Sequence, residues 1–189
     1  KQKTAYEIMP SLVGSEMCIR DRHTLVAVVE DKPGVLNRMV SLFRRRRYNI
    51  ESLAVGHSET PGISRMTLVV EGDDRVIEQV KKQLEKLVNV IEVQDVTGKP
   101  AVIRELALIR VQAPPPRRAE VTQLVELFRA KVVDVDHDSL MVEVTGAEDK
   151  VNQFIALLEP FGVEEVVRTG RVAMVRGGKA KEFKVNVFK

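Results

Sequence analysis

The residues best suited to chemistry stand in one turn, Glu30-Asp31-Lys32-Pro33-Gly34-Val35-Leu36. It falls where a valine-rich strand pattern over residues 23–29 gives way to a helical pattern carried by Val35, Leu36, Met39, Val40 and Phe43. That spacing of i, i+1, i+4, i+5 and i+8 places the five on one helix face. A helix therefore begins inside the turn. The first N–H groups of a helix have no intrahelical acceptor and carry partial positive charge, so they suit a carboxylate or a phosphate. Pro33 presets φ for the first helical turn, and Gly34, lacking Cβ, lets a ligand come close. The plainer alternative is a helix start capped by Asp31 and nothing more.

Other reactive side chains are less well arranged. His23, His57 and His137 fall in separate segments without zinc-like spacing, which points to structural or surface roles. Ser58 beside His57 is no nucleophile and base pair, because neighbours on a strand point to opposite faces. Asp134, Asp136 and Asp138 alternate toward one face, but no calcium-loop glycine and terminal glutamate follow, so a solvated face is expected. The Arg44 to Arg47 run reads as solvated cations at a helix C-terminus. Gly177-Gly178-Lys179 lacks the first glycine and the Ser or Thr of a phosphate-binding loop. No catalytic constellation emerges, and the expectation is a non-catalytic regulator.

Composition narrows the partners. Thirty Lys and Arg against 27 Asp and Glu leave a net charge of +3, too mild for a global case for nucleic-acid binding. Aromatic residues are 4% of the chain, with no Trp, which argues against base-stacking platforms. A single cysteine, Cys18, leaves no internal disulfide and no CxxC pair. With no apolar run long enough to span a bilayer and no secretory pattern, a cytoplasmic protein acting without membrane or nucleic acid is expected.

The elements that must position the turn follow in order. Strands are expected over residues 24–30, 48–56, 63–71 and 90–96, with helices starting at the Gly34 turn and after Gly72-Asp73-Asp74. This order is β-α-β-β-α-β, a split βαβ unit of ferredoxin-like type. After the breaker Thr97-Gly98-Lys99-Pro100 the order repeats. Strands are expected over 106–113, 132–135, 140–145 and 163–167. One helix carries Val121, Leu124, Val125 and Phe128; the other carries Val151, Phe154, Ile155 and Leu158 and opens on a Thr145/Glu148 capping box. Where the first unit has its glycine turn, the second has Ala113-Pro114-Pro115-Pro116-Arg117, whose prolines lack N–H donors, so anion binding is expected in the first unit alone. The fold class is thus α+β, with two ferredoxin-like βαββαβ domains in tandem. Residues 1–22 are expected to be a leader, non-native or disordered, since AYEIMPSLVGSEMCIRDR resembles translated sequencing-adapter read-through. Residues 23–97 form the first domain, 98–177 the second, and 178–189 a flexible tail. A short strand through Val172, Ala173 and Val175 is a further expectation.

The blocks DKPGVL, YNIESL and SRMTLVV, in that order and spacing, resemble the N-terminal ACT domain of the acetolactate synthase (acetohydroxyacid synthase) small regulatory subunit. The resemblance runs in weaker form to about residue 177. It implies a dimer whose ACT domains pair side by side, binding valine or a related branched-chain amino acid between them. It also implies a large catalytic subunit as partner, which carries thiamine diphosphate, magnesium and FAD and is activated and feedback-inhibited through this chain, in valine, leucine and isoleucine biosynthesis. Carried over residue by residue, the effector contacts are Asp31, Gly34, Val35 and Leu36, with Asn49 and Ile50 supplied by the neighbouring protomer. The carboxylate would meet the N–H groups near Gly34 to Leu36, the ammonium would meet Asp31, Asn49 would donate and accept, and Val35, Leu36 and Ile50 would surround the aliphatic side chain. Asp31 departs in part from the family, in which asparagine is common here. The alternative is a tandem-ACT, amino-acid-sensing transcriptional regulator, disfavoured by the lack of a helix-turn-helix and of a concentrated basic recognition helix.

Overall fold

The computed structural model describes residues 22–177. Residues 1–21 of the expected leader and the tail expected after residue 177 lie outside the described residues; Arg22, expected as the last leader residue, is instead the first residue of the first strand, paired opposite Glu71. Strand β1 (Arg22–Glu30), helix α1 (Val35–Arg46), strands β2 (Ile50–His57) and β3 (Ile63–Glu71), helix α2 (Asp74–Leu84) and strand β4 (Val90–Asp95) make the first unit. Its sheet runs β2-β3-β1-β4, antiparallel throughout. Odd positions of β1, Leu25, Ala27 and Val29, face the two helices and are fully buried with Met39, Phe43, Leu68, Val80 and Leu84. The strand's period of two delivers one face to this core.

Helix α1 differs in part from the expected face. Val35, Met39, Leu42 and Phe43 are buried, while Leu36 and Val40 are 41% and 40% exposed. Five apolar residues at adjacent positions span a wider arc than one sheet can cover, so this pair is left on the flank. Arg44, Arg45 and Arg46 occupy the last turn of α1, and Arg47 closes it in the left-handed region, at φ 58°. Cations there oppose the negative helix end.

The second unit holds β5 (Ala101–Gln112), α3 (Arg118–Leu127), β6 (Lys131–Val135), β7 (Ser139–Gly146), α4 (Glu148–Leu158), a 3-10 turn at Glu159–Phe161 and β8 (Val163–Arg168). Its sheet order, β6-β7-β5-β8, reproduces that of the first. Ile109, Val142, Val151, Phe154 and Leu158 build its core, and the Phe128 and Phe154 rings lie 5.0 Å apart. The mixed α+β, tandem ferredoxin-like architecture is therefore as expected.

Two local expectations fail. The Thr145/Glu148 capping box does not form: Thr145 stays in the ladder opposite Leu106, Ala147 is the N-cap, and no side chain caps α4. Strand pairing continues through Gly146, and the Glu148 carboxylate turns instead to Arg22 and Arg171. Strand β5 also starts about five residues earlier than expected. Residues 101–104 pair with β9 (Val172–Val175), and this ribbon packs Ala173, Ile103 and Val175 against Val26 and Val96 of the first unit. One strand thus serves both halves of the chain.

Candidate functional site

Glu30 ends β1, and the chain turns at once. The Asp31 N–H donates to the Gly62 carbonyl at 2.8 Å, the Lys32 N–H to Glu30 at 3.0 Å, and the Val35 N–H to Lys32 at 3.3 Å. Gly34 is the N-cap of α1, at φ +83°, and no side chain caps the helix. Asp31 is therefore not the cap. Its carboxylate sits 3.2 Å from the His57 ring at the end of β2, and both side chains reach solvent. A Cβ built at Gly34 would meet nothing within 4 Å, so the space over the helix start is open. The Val35 N–H is taken by the Lys32 carbonyl, and no side chain caps the first-turn N–H groups that follow it, those of Leu36 and Asn37.

The turn is held from below. Asn89 donates to Glu30 Oε2 at 2.6 Å, Lys32 Nζ lies 3.1 Å from the same oxygen, and Arg38 donates to Asn89 Oδ1 at 2.6 Å. The Asn89 hydrogen bond, then that of Lys32, holds the Glu30 carboxyl below its ordinary value, burial working against them. A lowered folded pKa means that the stabilisation is complete above the unfolded value, near 4.5, and is lost as pH falls through the folded one. Denaturation midpoints taken from pH 6 to pH 3 should therefore fall more steeply for the wild type than for Glu30→Gln. Parallel curves would show that this carboxylate does not tie down the turn.

Val35 corrects an expectation. Its side chain is 4% exposed and belongs to the first core, so it cannot surround a ligand. A helix residue directly after the N-cap points inward when the next turns supply Met39 and Leu42 on the same face. Leu36, half-exposed, remains the apolar group at the rim.

Asn49 and Ile50 lie elsewhere. The Tyr48 N–H closes α1 on the Phe43 carbonyl at 3.1 Å, Asn49 is exposed, and Ile50 opens β2 partly packed on the core. Ile50 stands opposite Val70, itself opposite His23, whereas the turn follows Glu30, seven residues farther along β1. At about 3.3 Å per residue the two groups are about 23 Å apart within one chain. The fold brings Asp31, Gly34 and Leu36 together and does not bring Asn49 or Ile50 to them. Strand β2 ends its sheet, and among the described residues no strand pairs with its outer edge.

His57 is the residue at this rim that local pattern could not find. It is 26 positions from Asp31 in sequence, and only the β1-β3-β2 register brings the two side by side. In the second unit the equivalent helix start likewise has no side-chain cap, and its two arginines turn to the chain itself. Arg118 reaches the Ala113, Asp136 and His137 carbonyls, and Arg117 stacks 4.5 Å over the Phe161 ring. Among the described residues, no group of three or more His, Cys, Asp or Glu is placed to hold a metal ion, and no helix is long and apolar enough to cross a membrane.

Comparison with known proteins bears on both units. Residues 25–92 match the family described as the AHAS small subunit-like ACT domain, and residues 104–177 match the small subunit of acetolactate synthase. A probable acetolactate synthase small subunit of Archaeoglobus fulgidus is 57% identical over 158 residues, covering 84% of this chain and 99% of that one. The acetolactate synthase small subunit of Aquifex aeolicus is 51% identical over 162 residues, covering 85% and 84%. The crystal structure of the small subunit from Thermotoga maritima is 45% identical, with a TM-score of 0.78 over 84% of this chain and 99% of that one.

Proposed function

The chain belongs to the acetolactate synthase small-subunit family, and from that premise we propose that it is the non-catalytic regulatory subunit that activates a large catalytic subunit and confers feedback inhibition by valine or a related branched-chain amino acid. The observation that carries the effector site is its division. An open helix start with a nearby carboxylate lies at one end of the sheet, and Asn49 and Ile50 lie at the other, joined by an edge strand whose outer side pairs with no strand among the described residues. Antiparallel pairing of two β2 edges brings the Ile50 end of one protomer to the His57 end of its partner, beside Asp31. Each dimer then holds two sites, neither complete without the second copy. A zwitterion fits this arrangement: N–H groups for the carboxylate, Asp31 for the ammonium, Leu36 and the partner protomer's Ile50 for the branched chain.

On this reading the thiamine diphosphate, magnesium and FAD reside on the catalytic partner, and the complex works in the cytoplasm in valine, leucine and isoleucine biosynthesis. Two measurements test it together. The full chain should co-purify with a thiamine-diphosphate enzyme and raise its rate, and calorimetric titration should show valine, leucine or isoleucine binding at one site per protomer, with dimers in sedimentation. A monomer that binds valine at full affinity would sink the shared-site reading.

A further inference from the structure

We propose that the joint between the two halves of the chain transmits effector occupancy from the start of β2 to the second sheet, with Glu51, Ser52, Arg22, Arg171 and Glu148 as positioning residues; this rests on the effector-site reading above. The strand that begins at Ile50 meets the second half of the chain within two residues. The β2–β3 register shifts between Ile50 and Ser52, so a bulge re-aims the side chains there. Glu51 accepts from Arg22 at 2.7 Å, and the same Arg22 nitrogen reaches Glu148 at 3.1 Å, in the first turn of α4. The second Glu148 oxygen is taken by Arg171. The Arg171 N–H in turn donates to Ser52 Oγ at 3.1 Å.

Two properties make this a joint that passes on displacement. The first is steric. Gly170 sits at φ +76°, and a Cβ there would collide with Ser52 Oγ, so β2 rests directly on the bend between β8 and β9. At this one backbone contact a shift of Ser52 cannot be taken up without moving the bend at Gly170. The second is electrostatic. Burial, then repulsion from Arg22, pushes the Arg171 guanidinium below its ordinary value, with Glu51 and Glu105 opposing. Glu148 is the carboxylate that both arginines share, so a displacement of Glu51 redistributes the contacts of α4. Behind it, Arg168 clamps Glu105 through two bonds, at 2.6 and 2.7 Å, and donates to Asn152 of α4, tying β8, β5 and α4 into one body. A recess of about 360 Å³ beside these groups gives the charged side chains room to re-pair.

Glu148→Gln and Ser52→Ala test the joint in the full chain, reconstituted with the catalytic subunit. Both variants should bind valine within about threefold of the wild-type affinity and activate the catalytic subunit without valine, yet at saturating valine the rate should recover to within about twofold of the valine-free rate. Hydrogen exchange should agree: valine alters protection of α4 in the wild type but not in the variants. Should Glu148→Gln misfold, Ser52→Ala, which removes one hydroxyl, decides alone. Wild-type inhibition with an unchanged α4 response in the variants overturns the joint. Absence of binding of valine, leucine and isoleucine alike to the wild type overturns the effector site, and the joint with it, and is seen in the wild-type titration; where leucine or isoleucine binds in place of valine, that amino acid is used throughout the test.

Discussion

Gly34→Asp should weaken valine binding by roughly ten- to a hundredfold while leaving the fold and the activation of the catalytic subunit in place. The magnitude comes from charge rather than shape. A carboxylate at position 34 stands where the ligand carboxylate is proposed to sit, and two like charges about 4 Å apart near a protein surface repel by up to about 4 kcal/mol, less where water screens them. Stability moves little. The left-handed φ of +83° costs a non-glycine residue about 1–2 kcal/mol, but aspartate tolerates that region better than most, its Cβ meets open space, and its charge gains about 0.3–1 kcal/mol at a helix N-terminus. Gly34→Ala adds the strain without the charge, so its valine affinity should fall far less. Calorimetric titration of the two variants separates the causes, and full affinity in Gly34→Asp would remove the helix start from the site.

The division of the site allows a sharper form of the same experiment. Asn49→His damages the other half, so either variant alone has two defective sites per dimer. Mixed dimers of the two contain one site with both halves intact and one with both damaged. Valine binding should therefore reappear on mixing, at up to half the wild-type stoichiometry in the mixed species. A site contained within one chain, or a site at either position independent of the other, gives no such recovery.

These experiments rest on features that sequence revealed unequally. The glycine turn, the two βαββαβ orders and the proline-filled counterpart were all readable, because each depends on local periodicity or on residues with few conformations, such as Pro33 and Gly34. What escaped depends on partners distant in sequence. Arg104 and Glu105 interrupt the apolar pattern of β5 and hide its early start, which is set by β9 some 70 residues later. Glu148 carries the signature of a cap and is drawn away by arginines 126 residues before it and 23 after it. Leu36 and Val40 look like core until the width of the sheet decides which apolar residues it covers. In each case the local signal was present and a tertiary contact outweighed it.

The continuity of β5 bears on the largest stability effect expected, that of Phe154→Ala. Phe154 is fully buried in the second core, against Phe128, and truncating such a ring to alanine costs about 3–5 kcal/mol in lost transfer free energy and residual cavity. For a chain of this size that lowers the thermal midpoint by roughly 6–20 °C. The damage should not stop at the second sheet. Loosening α4 frees β5, and residues 101–104 of that strand hold β9 against Val26 and Val96 on the first sheet. Amide exchange should therefore quicken in β7, β8 and β5, and also in β9, while the centre of β1, held between β3 and β4, keeps its protection. Faster exchange confined to residues 105–168 would show that the ribbon belongs energetically to the first unit, and that β5 spans the two cores without coupling them.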